Sequence, residues 1–265
     1  MSELSKLLKG EVNEVKSSQS LVIESELNKL LLLDREVRED RVGMHGSGII
    51  ASDSDFCYRQ QVLSFYFKGF EPDISDGLRR IFLNGWYVHE KWQKLFEAAG
   101  IAIGVEQRGE SKDMKLLFTP DAIIKLKNKK WVVEIKSVNT YQFQKMQSHP
   151  SGAKQLQLYM HMTCIPQGFV LCEDKNNQNI KVFPYKYDPV IAKPFVERML
   201  KVQEFMKRFE KTGKLPSRMC DSENCKKAKS CSYREACFGI KKVALDQNKY
   251  DEIRQGWKKD EVPWD

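Results

Sequence analysis

Long apolar stretches are missing from this sequence. No run approaches the roughly 20 apolar residues that an α-helix needs to cross a bilayer, which excludes a helical membrane protein. The first residues, Met1 to Lys6, lack the hydrophobic core of a secretory signal. We therefore expect an intracellular, cytoplasmic protein.

Acidic residues are too few to balance the basic ones. The 44 lysines and arginines outnumber the 36 aspartates and glutamates, which leaves a formal net charge of +8 and a sequence pI near 9.0. This surplus suits a polyanionic partner without proving one. The 265 residues, 41% of them hydrophobic, suffice for a globular core in one large domain or in one domain with appendages.

Residues 119–137 predict two strands joined by a polar, lysine-rich turn at residues 128–129. Side chains alternate between the two faces of a strand, so Glu134 and Lys136 share one face of the second strand. Asp121 begins the first strand and approaches the same point if the two strands pair as a hairpin. The segment therefore predicts a cluster of two carboxylates and one ammonium group.

This cluster has the chemistry of a metal-dependent hydrolytic site. Carboxylate oxygens are preferred ligands of hard cations such as Mg²⁺ or Mn²⁺, which activate water and stabilise charge on a phosphate. The Lys136 ammonium would position that water or neutralise developing negative charge. An amphipathic hairpin with a charged outer face would show the same spacing, so the spacing alone leaves both interpretations open.

Two predicted helices carry further candidates. Residues 78–100 place apolar side chains at three- and four-residue steps, with His89 on the apolar side. Residues 150–165 stack Gln155 on Tyr159, four positions later. Taken alone, His89 is typical of a hydrogen-bonded core residue. The pair of Gln155 and Tyr159, taken alone, is typical of an ordinary helix surface. The apolar set of the first helix comprises Phe82, Trp92, Leu95, Phe96 and Ala99.

The rest of the chain predicts a second hairpin over residues 167–187, with a polar turn from Glu173 to Gln178, and a helix over residues 189–211. We expect residues 1–44 to form a helical extension that packs on the core or binds a partner. We expect residues 45–240 to form the main domain and residues 241–265 to be a polar tail, whose composition predicts mobility.

Seven cysteines are present, and four of them follow the pattern Cys220-x4-Cys225-x5-Cys231-x5-Cys237. A disulfide framework is not expected in a reducing compartment, and core packing does not explain so dense a group. Four thiolates form a complete ligand set for a structural zinc ion. Metal or cluster binding is therefore the favoured interpretation.

The hairpin residues resemble a known family. Pro120-Asp121 followed by Glu134-Ile135-Lys136 is similar to the motif of the PD-(D/E)xK nuclease superfamily. Upstream, the segment from Gly85 to His89-Glu90 resembles the Gly…His-Glu motif of the RecB-like branch, in which the histidine binds the metal. Downstream, Gln155-x-x-x-Tyr159 resembles the motif that follows the catalytic lysine in that branch. The motifs occur in the order expected for a RecB-like, CRISPR-associated-type nuclease.

Two cysteine segments extend this resemblance. A cap formed by Ser52 or Asp53, followed by Cys57-x-Arg and an aromatic helix, resembles the N-terminal segment of the iron–sulfur members, in which that cysteine is a distant cluster ligand. The segment from Cys231 to Cys237 resembles their last ligand pair. The sequence departs from their Cys-x-x-Cys-x5-Cys pattern because position 228 is alanine.

The resemblance implies an α/β fold like that of restriction endonucleases, a mixed sheet with helices on both sides and a cysteine-clamped helical cap. It implies that His89, Asp121, Glu134 and the carbonyl of Ile135 bind one or two magnesium or manganese ions. Lys136 would assist the attacking water, while Gln155 and Tyr159 would position the lysine region and contact DNA.

Two ligand sets for the cysteines stay open. Cys57, Cys225, Cys231 and Cys237 would hold a cubane iron–sulfur cluster that ties the N-terminal helix to the C-terminal region. Alternatively, Cys220 replaces Cys57 and the four C-terminal cysteines hold zinc. In both cases the metal centre stabilises a segment that has few apolar residues.

The function implied by the resemblance is phosphodiester hydrolysis in DNA. We expect an exonuclease that acts on single-stranded DNA or DNA ends in recombination, repair or replication, and that is nucleoid-associated. A non-catalytic DNA-binding or scaffold protein on the same fold and an RNA nuclease are the alternatives. The acidic, tryptophan-containing tail from Asp260 to Asp265 resembles the tips through which single-stranded-DNA-binding proteins recruit partners, which predicts a protein partner.

Overall fold

The protein is described by a computed structural model that covers residues 25–27, 43–70, 75–106, 109–111, 116–242 and 244. The chain divides into two compact units, one formed by residues 1–39 with 74–81 and the other by residues 40–73 with 82–265. Most of the predicted extension over residues 1–44, and the predicted partner-binding tail Asp260–Asp265, lie outside the described residues.

Eight helices and eight strands are named within these described ranges. The helices are α1 (Gly46–Ile49), α2 (Tyr58–Tyr66), α3 (Asp76–Ala98), α4 (Thr140–Lys145), α5 (Pro150–Thr163), α6 (Pro189–Thr212), α7 (Lys226–Lys229) and α8 (Arg234–Phe238). The strands are β1 (Met44–His45), β2 (Ala102–Val105), β3 (Gly109–Ser111), β4 (Leu116–Phe118), β5 (Ala122–Leu126), β6 (Lys129–Val138), β7 (Gln167–Asp174) and β8 (Ile180–Lys186). None of the described helices is long and apolar enough to cross a bilayer.

The main sheet has the strand order β2-β5-β6-β7-β8 and is mixed. Only the pair β6 and β7 is parallel, and the other neighbours run antiparallel. A smaller sheet has the order β1-β4-β3, in which β1 and β4 are parallel. A parallel pair needs a long crossover, which here contains α4 and α5. The predicted α/β fold with a mixed sheet is confirmed.

Helices cover both faces of the main sheet. On one face, Val88, Trp92 and Phe96 of α3 recur at four-residue steps and pack against inward side chains of β5, β6 and β7. On the other face, α5 packs on β6 and β7, and α6 packs on α5 and α2. Burying apolar side chains on both faces explains why the central strands are almost continuously apolar, with Val132, Val133 and Ile135 fully buried in β6.

Three predictions of detail are wrong. The hairpin turn lies at Lys127 and Asn128, whose positive φ values of 47° and 61° suit a two-residue turn whose twist matches the strands. Phe82 and Leu95 are exposed, because the packed stripe of α3 is centred on Trp92 and neither side chain lies on it. Neither Ser52 nor Asp53 caps α2, since the sulfur of Cys57 itself accepts the capping hydrogen bond from the backbone N–H of Gln60.

The turn of the second hairpin begins later than predicted. Glu173 and Asp174 were expected in the polar turn, but both lie in β7 and are 2% and 0% exposed. The turn begins only at Lys175. Parallel pairing with β6 continues through Asp174, which draws the two acidic residues into the sheet.

Candidate active site

Asp121 stands immediately before β5 and links three elements. Its Oδ2 accepts a 2.6 Å hydrogen bond from the backbone N–H of Ile135 in β6. Antiparallel pairing of Ala122 with Val133 sets this register. Its Oδ1 lies 3.2 Å from Nδ1 of His89 on α3. One carboxylate therefore joins β5, β6 and α3 at a single point.

Glu134 occupies the middle of β6 with 1% of its surface exposed. The Nζ of Lys136 lies 2.5 Å from its Oε1. Apart from this ammonium, no donor among the described residues hydrogen-bonds either carboxylate oxygen. Burial raises the pKa of Glu134 to about 8, and the negative charge of Asp121 adds to the effect. A buried carboxylate with unused lone pairs is a position where an additional cation is stabilising.

Lys136 connects Glu134 to helix α5. Its Nζ donates a 3.4 Å hydrogen bond to Oε1 of Gln155, whose Nε2 donates to the hydroxyl of Tyr159 at 2.9 Å. Burial lowers the pKa of Lys136, but the charges of Glu134 and Asp121 and the hydrogen bond to Glu134 raise it, and the net shift is upward. The side chain is therefore an ammonium at neutral pH, which suits charge stabilisation rather than proton abstraction.

His89 reaches the carboxylates from α3 and is 25% exposed. Burial lowers the pKa of His89, while the hydrogen bond and charge of Asp121 and the charge of Glu134 raise it, with a net upward shift. One turn later, Nε2 of Gln93 donates to the backbone carbonyl of Asp121 at 3.0 Å and to Oε1 of Glu106 at 3.2 Å. The same side of α3 thus contacts Asp121 twice.

All the residues predicted for the nuclease site are therefore close together, with each described side chain within contact of another. Ile135 takes part through its N–H group, and ligation of a metal by its carbonyl stays a prediction. Gln93 and Glu106 were not predicted from the sequence. The spacing of Gln93, four residues after His89, was the available signal.

His149 is a further residue that the motifs did not reveal. It caps α5 by accepting a 3.0 Å hydrogen bond at Nδ1 from the backbone N–H of Gly152. Burial and the positive charge of Lys136 lower the pKa of His149. A Cβ at Gly152 would lie 3.1 Å from Val170, the register partner of Glu134, so this end of α5 lies over the site. The dipeptide His149-Pro150 at the start of the predicted helix was the only sequence signal for this cap.

The cysteines form a second cluster in the same unit. A cavity of about 480 Å³ is lined by side chains from α2 and from the segment around α7 and α8. Its lining includes Cys57, Cys220, Cys231 and Cys237. Cys225 lies beside Cys220, with which it shares a side-chain hydrogen bond. The structure thus brings Cys57 to the C-terminal cysteines, and it brings Cys220 there as well.

Two of these sulfurs are helix N-caps. Sγ of Cys57 accepts a 3.5 Å hydrogen bond from the N–H of Gln60, and Sγ of Cys225 accepts a 3.3 Å bond from the N–H of Ala228. The bond from Ala228 lowers the pKa of Cys225, whereas burial raises the pKa of Cys231 to about 11. The N–H group directed at the sulfur of Cys225 favours its thiolate, the form that binds metals.

In the part of the chain that the structure describes, no three His, Cys, Asp or Glu side chains are arranged to hold a metal ion directly. The types of donor atom nevertheless match those that the expected metals prefer. The carboxylate oxygens of Glu134 are buried and have only Lys136 as a donor. Together with Asp121 and His89, they match the ligand preference of Mg²⁺ or Mn²⁺. The cysteines around the cavity match that of zinc or an iron–sulfur cluster.

No family model and no curated protein matches this chain. Among solved structures, it is similar to the protein SSO0001, with 16% identity, 68% of this chain and 87% of that chain covered, and a TM-score of 0.43. It is also similar to the alkaline exonuclease LHK-Exo from Laribacter hongkongensis, with 13% identity, 65% and 94% covered, and a TM-score of 0.46. The structure of LHK-Exo in complex with dAMP is similar at 12% identity, with 64% of this chain and 93% of that chain covered and a TM-score of 0.46. At these values none of the three assigns an activity to this chain.

Proposed function

We propose that this protein is a metal-dependent deoxyribonuclease of the PD-(D/E)xK type that hydrolyses phosphodiester bonds. The observation that carries the proposal is the contact network of Asp121, Glu134, Lys136 and His89, drawn from two strands and a helix. A charged surface hairpin would leave these groups in solvent. Instead Glu134 is buried, and among the described residues only the Lys136 ammonium compensates its charge, so a carboxylate beside Asp121 is buried with most of its acceptor capacity unused in the metal-free protein.

Asp121, Glu134 and His89 would hold one or two Mg²⁺ or Mn²⁺ ions, with the carbonyl of Ile135 as a further ligand. Such an ion supplies a Lewis acid that lowers the pKa of a bound water and neutralises phosphate charge. The hydrogen bond from Ile135 N–H orients the Asp121 carboxylate, and Gln93 fixes the backbone carbonyl of the same residue.

Lys136 would stabilise negative charge as it develops on the phosphate. Its ammonium is held between Glu134 and Gln155, and Tyr159 orients the Gln155 amide from one turn further along α5. A preorganised cation of this kind lowers the barrier because it needs no reorganisation during the reaction.

The proposed substrate is DNA with a single-stranded segment or a free end. Phe82, Trp86 and Tyr87 expose about half of their surfaces on α3, the helix that carries His89. Exposed aromatic rings provide platforms on which unpaired bases stack. The lysine-rich turn over residues 125–130 and the α7 segment add positive charge that attracts a nucleic-acid backbone. We propose an exonuclease role in recombination, repair or replication.

We also propose that the cysteine cluster binds an iron–sulfur cluster or zinc with a structural role. The proximity of Cys57 to the C-terminal cysteines supports the first, and the presence of Cys220 beside Cys225 supports the second. Thiolate-to-iron charge transfer colours a protein brown, whereas zinc leaves it colourless. Metal analysis with the absorption spectrum distinguishes the two, and absence of both metals would reject this part of the proposal.

The activity is tested with end-labelled single-stranded DNA, double-stranded DNA and RNA, each incubated with protein and Mn²⁺. The wild type should degrade DNA, and Glu134→Gln and Lys136→Ala should not. Lys94→Ala is the matched control, because Lys94 forms an exposed pair with Glu90 on α3. Cleavage by either site variant at the wild-type rate would refute the proposal. DNA binding without cleavage would favour a scaffold, and cleavage of RNA alone would favour an RNA nuclease.

A further inference from the structure

A buried carboxylate outside the proposed catalytic set lies at the end of β7. Glu173 is 2% exposed and pairs in register with Ser137, one position beyond the pair of Lys136 with Cys172. Phe169 and Leu171 precede it at two-residue steps on the face of the sheet that α3 covers. An acidic side chain thus continues an apolar row beneath α3.

Both oxygens of Glu173 are bound by consecutive residues of α3. Nζ of Lys91 donates to Oε1 at 2.5 Å, and Nε1 of Trp92 donates to Oε2 at 2.6 Å. Charge-assisted hydrogen bonds of this length are strong and geometrically specific. Two donors on two different side chains restrict both the rotation of the helix and its translation along its axis.

This anchor lies two and three residues from His89. On the side of β5, α3 is held by His89 and Gln93, which both contact Asp121. On the side of β7, it is held by Glu173. A slip of one residue along a helix moves a side chain by about 1.5 Å and turns it by about 100°, which would remove His89 from Asp121.

Stability alone does not account for a charge at this position. Replacing a buried ion pair by well-packed hydrophobic residues is often neutral or stabilising. The neighbouring row of Phe169 and Leu171 shows that apolar side chains fit against α3 here. An apolar residue cannot supply a directional contact that fixes the rotation of α3 about its axis.

We propose that Glu173 is a positioning residue, which sets the rotation of α3 through Lys91 and Trp92 and thereby holds His89 against Asp121. The inference deepens the proposed function, on which its consequence for metal binding rests. The positional effect itself is a property of the metal-free protein and is tested there.

The first measurement is the side-chain ¹H–¹⁵N spectrum of the histidines in metal-free protein. The chain has four histidines, and the His89 signal is assigned by its loss in His89→Gln. Glu173→Gln and Trp92→Phe should shift the His89 signal, because its hydrogen bond to Asp121 is disturbed. Lys94→Met, which removes the exposed pair with Glu90 on the same helix, should leave the signal in place.

The second measurement is the affinity for Mn²⁺ without DNA, followed by the electron paramagnetic resonance of free Mn²⁺. Loss of an outer contact of this kind should weaken binding about tenfold. Trp92→Phe removes the N–H donor and keeps an aromatic ring, though a smaller one, against the apolar cluster under α3, so it remains informative if Glu173→Gln fails to fold.

An unchanged His89 signal in a folded Trp92→Phe protein would overturn the proposal, even if that variant melts at a lower temperature. A wrong proposed function would give a different set of results. The wild type would then not bind Mn²⁺ or cut DNA, while the His89 signal would still respond to Glu173→Gln.

Discussion

Replacing Glu134 by glutamine should stabilise the metal-free protein while it abolishes cleavage. Glu134 is buried, and burial together with Asp121 raises the pKa of Glu134 from 4.5 to about 8. Glutamine has nearly the same shape, accepts a hydrogen bond from Lys136 and never ionises. The substitution therefore removes a titration that works against folding and keeps the packing of β6.

The sign follows from which state binds more protons. Between pH 4.5 and 8 the unfolded chain has released the proton of Glu134 and the native state still holds it, so wild-type stability falls as the pH rises. The difference between the pKa of Glu134 in the unfolded and native states sets an upper limit of about 4 to 5 kcal/mol on the resulting loss of unfolding free energy. Because the neighbouring Lys136 ammonium and the protein relax around a new charge, we expect about 2 to 4 kcal/mol in the measured difference.

The assay is urea unfolding in the presence of EDTA at several pH values from 5 to 8.5. The advantage of Glu134→Gln over the wild type should be small at pH 5 and should grow steadily to pH 8. Glu97→Gln, at an exposed position of α3, is the control and should show no such growth. A difference between variant and wild type that stays flat with pH would refute the assigned burial and charge environment. Added Mn²⁺ should stabilise the wild type and not the variant.

Three further predictions concern other parts of the unit. Gly168→Ala should destabilise the protein by about 1 to 3 kcal/mol in urea unfolding, because its Cβ would lie 2.6 Å from the carbonyl oxygen of Val132. Tyr159→Phe removes the hydroxyl that accepts from Gln155, so it should cost about 1 kcal/mol and slow cleavage; because Tyr159 is 4% exposed, DNA affinity should change little, contrary to the DNA contact expected from the resemblance. Cys57→Ser should release iron if the cluster ligands include Cys57, whereas Cys220→Ser should release the metal if the site binds zinc, as metal analysis would show.

The sequence was sufficient to predict the hairpin and the side-chain directions in it. Strand periodicity placed Glu134 and Lys136 on one face, and antiparallel pairing brought Asp121 to the neighbouring strand. These relations depend on neighbours in sequence, where a period of two leaves no freedom once the register is set. The helix over residues 189–211 was likewise predicted to within one residue of its observed end at Thr212.

Relations between distant segments could not be predicted in the same way. Nothing in the sequence around Glu173 indicates that parallel pairing with β6 continues far enough to bury it. Its partners Lys91 and Trp92 lie in helix α3, about 80 residues earlier in the chain, so no local pattern links them to Glu173. The exposure of Phe82 was missed for a related reason, since a spacing of three and four residues does not tell which side of the helix faces the sheet, and the packed stripe of α3 is centred on Trp92.

The two buried glutamates separate stability from function within one sheet. Both interrupt apolar rows, but Glu173 uses both oxygens in hydrogen bonds to α3, whereas Glu134 has only the Lys136 ammonium. Replacing Glu173 should therefore lose interactions that the metal-free protein already makes, and replacing Glu134 should relieve a cost that the metal-free protein already bears. A residue whose removal stabilises the fold and ends the activity is maintained for its chemistry. Opposite stability effects of Glu134→Gln and Glu173→Gln in urea unfolding would therefore support the proposed roles, Glu134 in the reacting centre and Glu173 in its support.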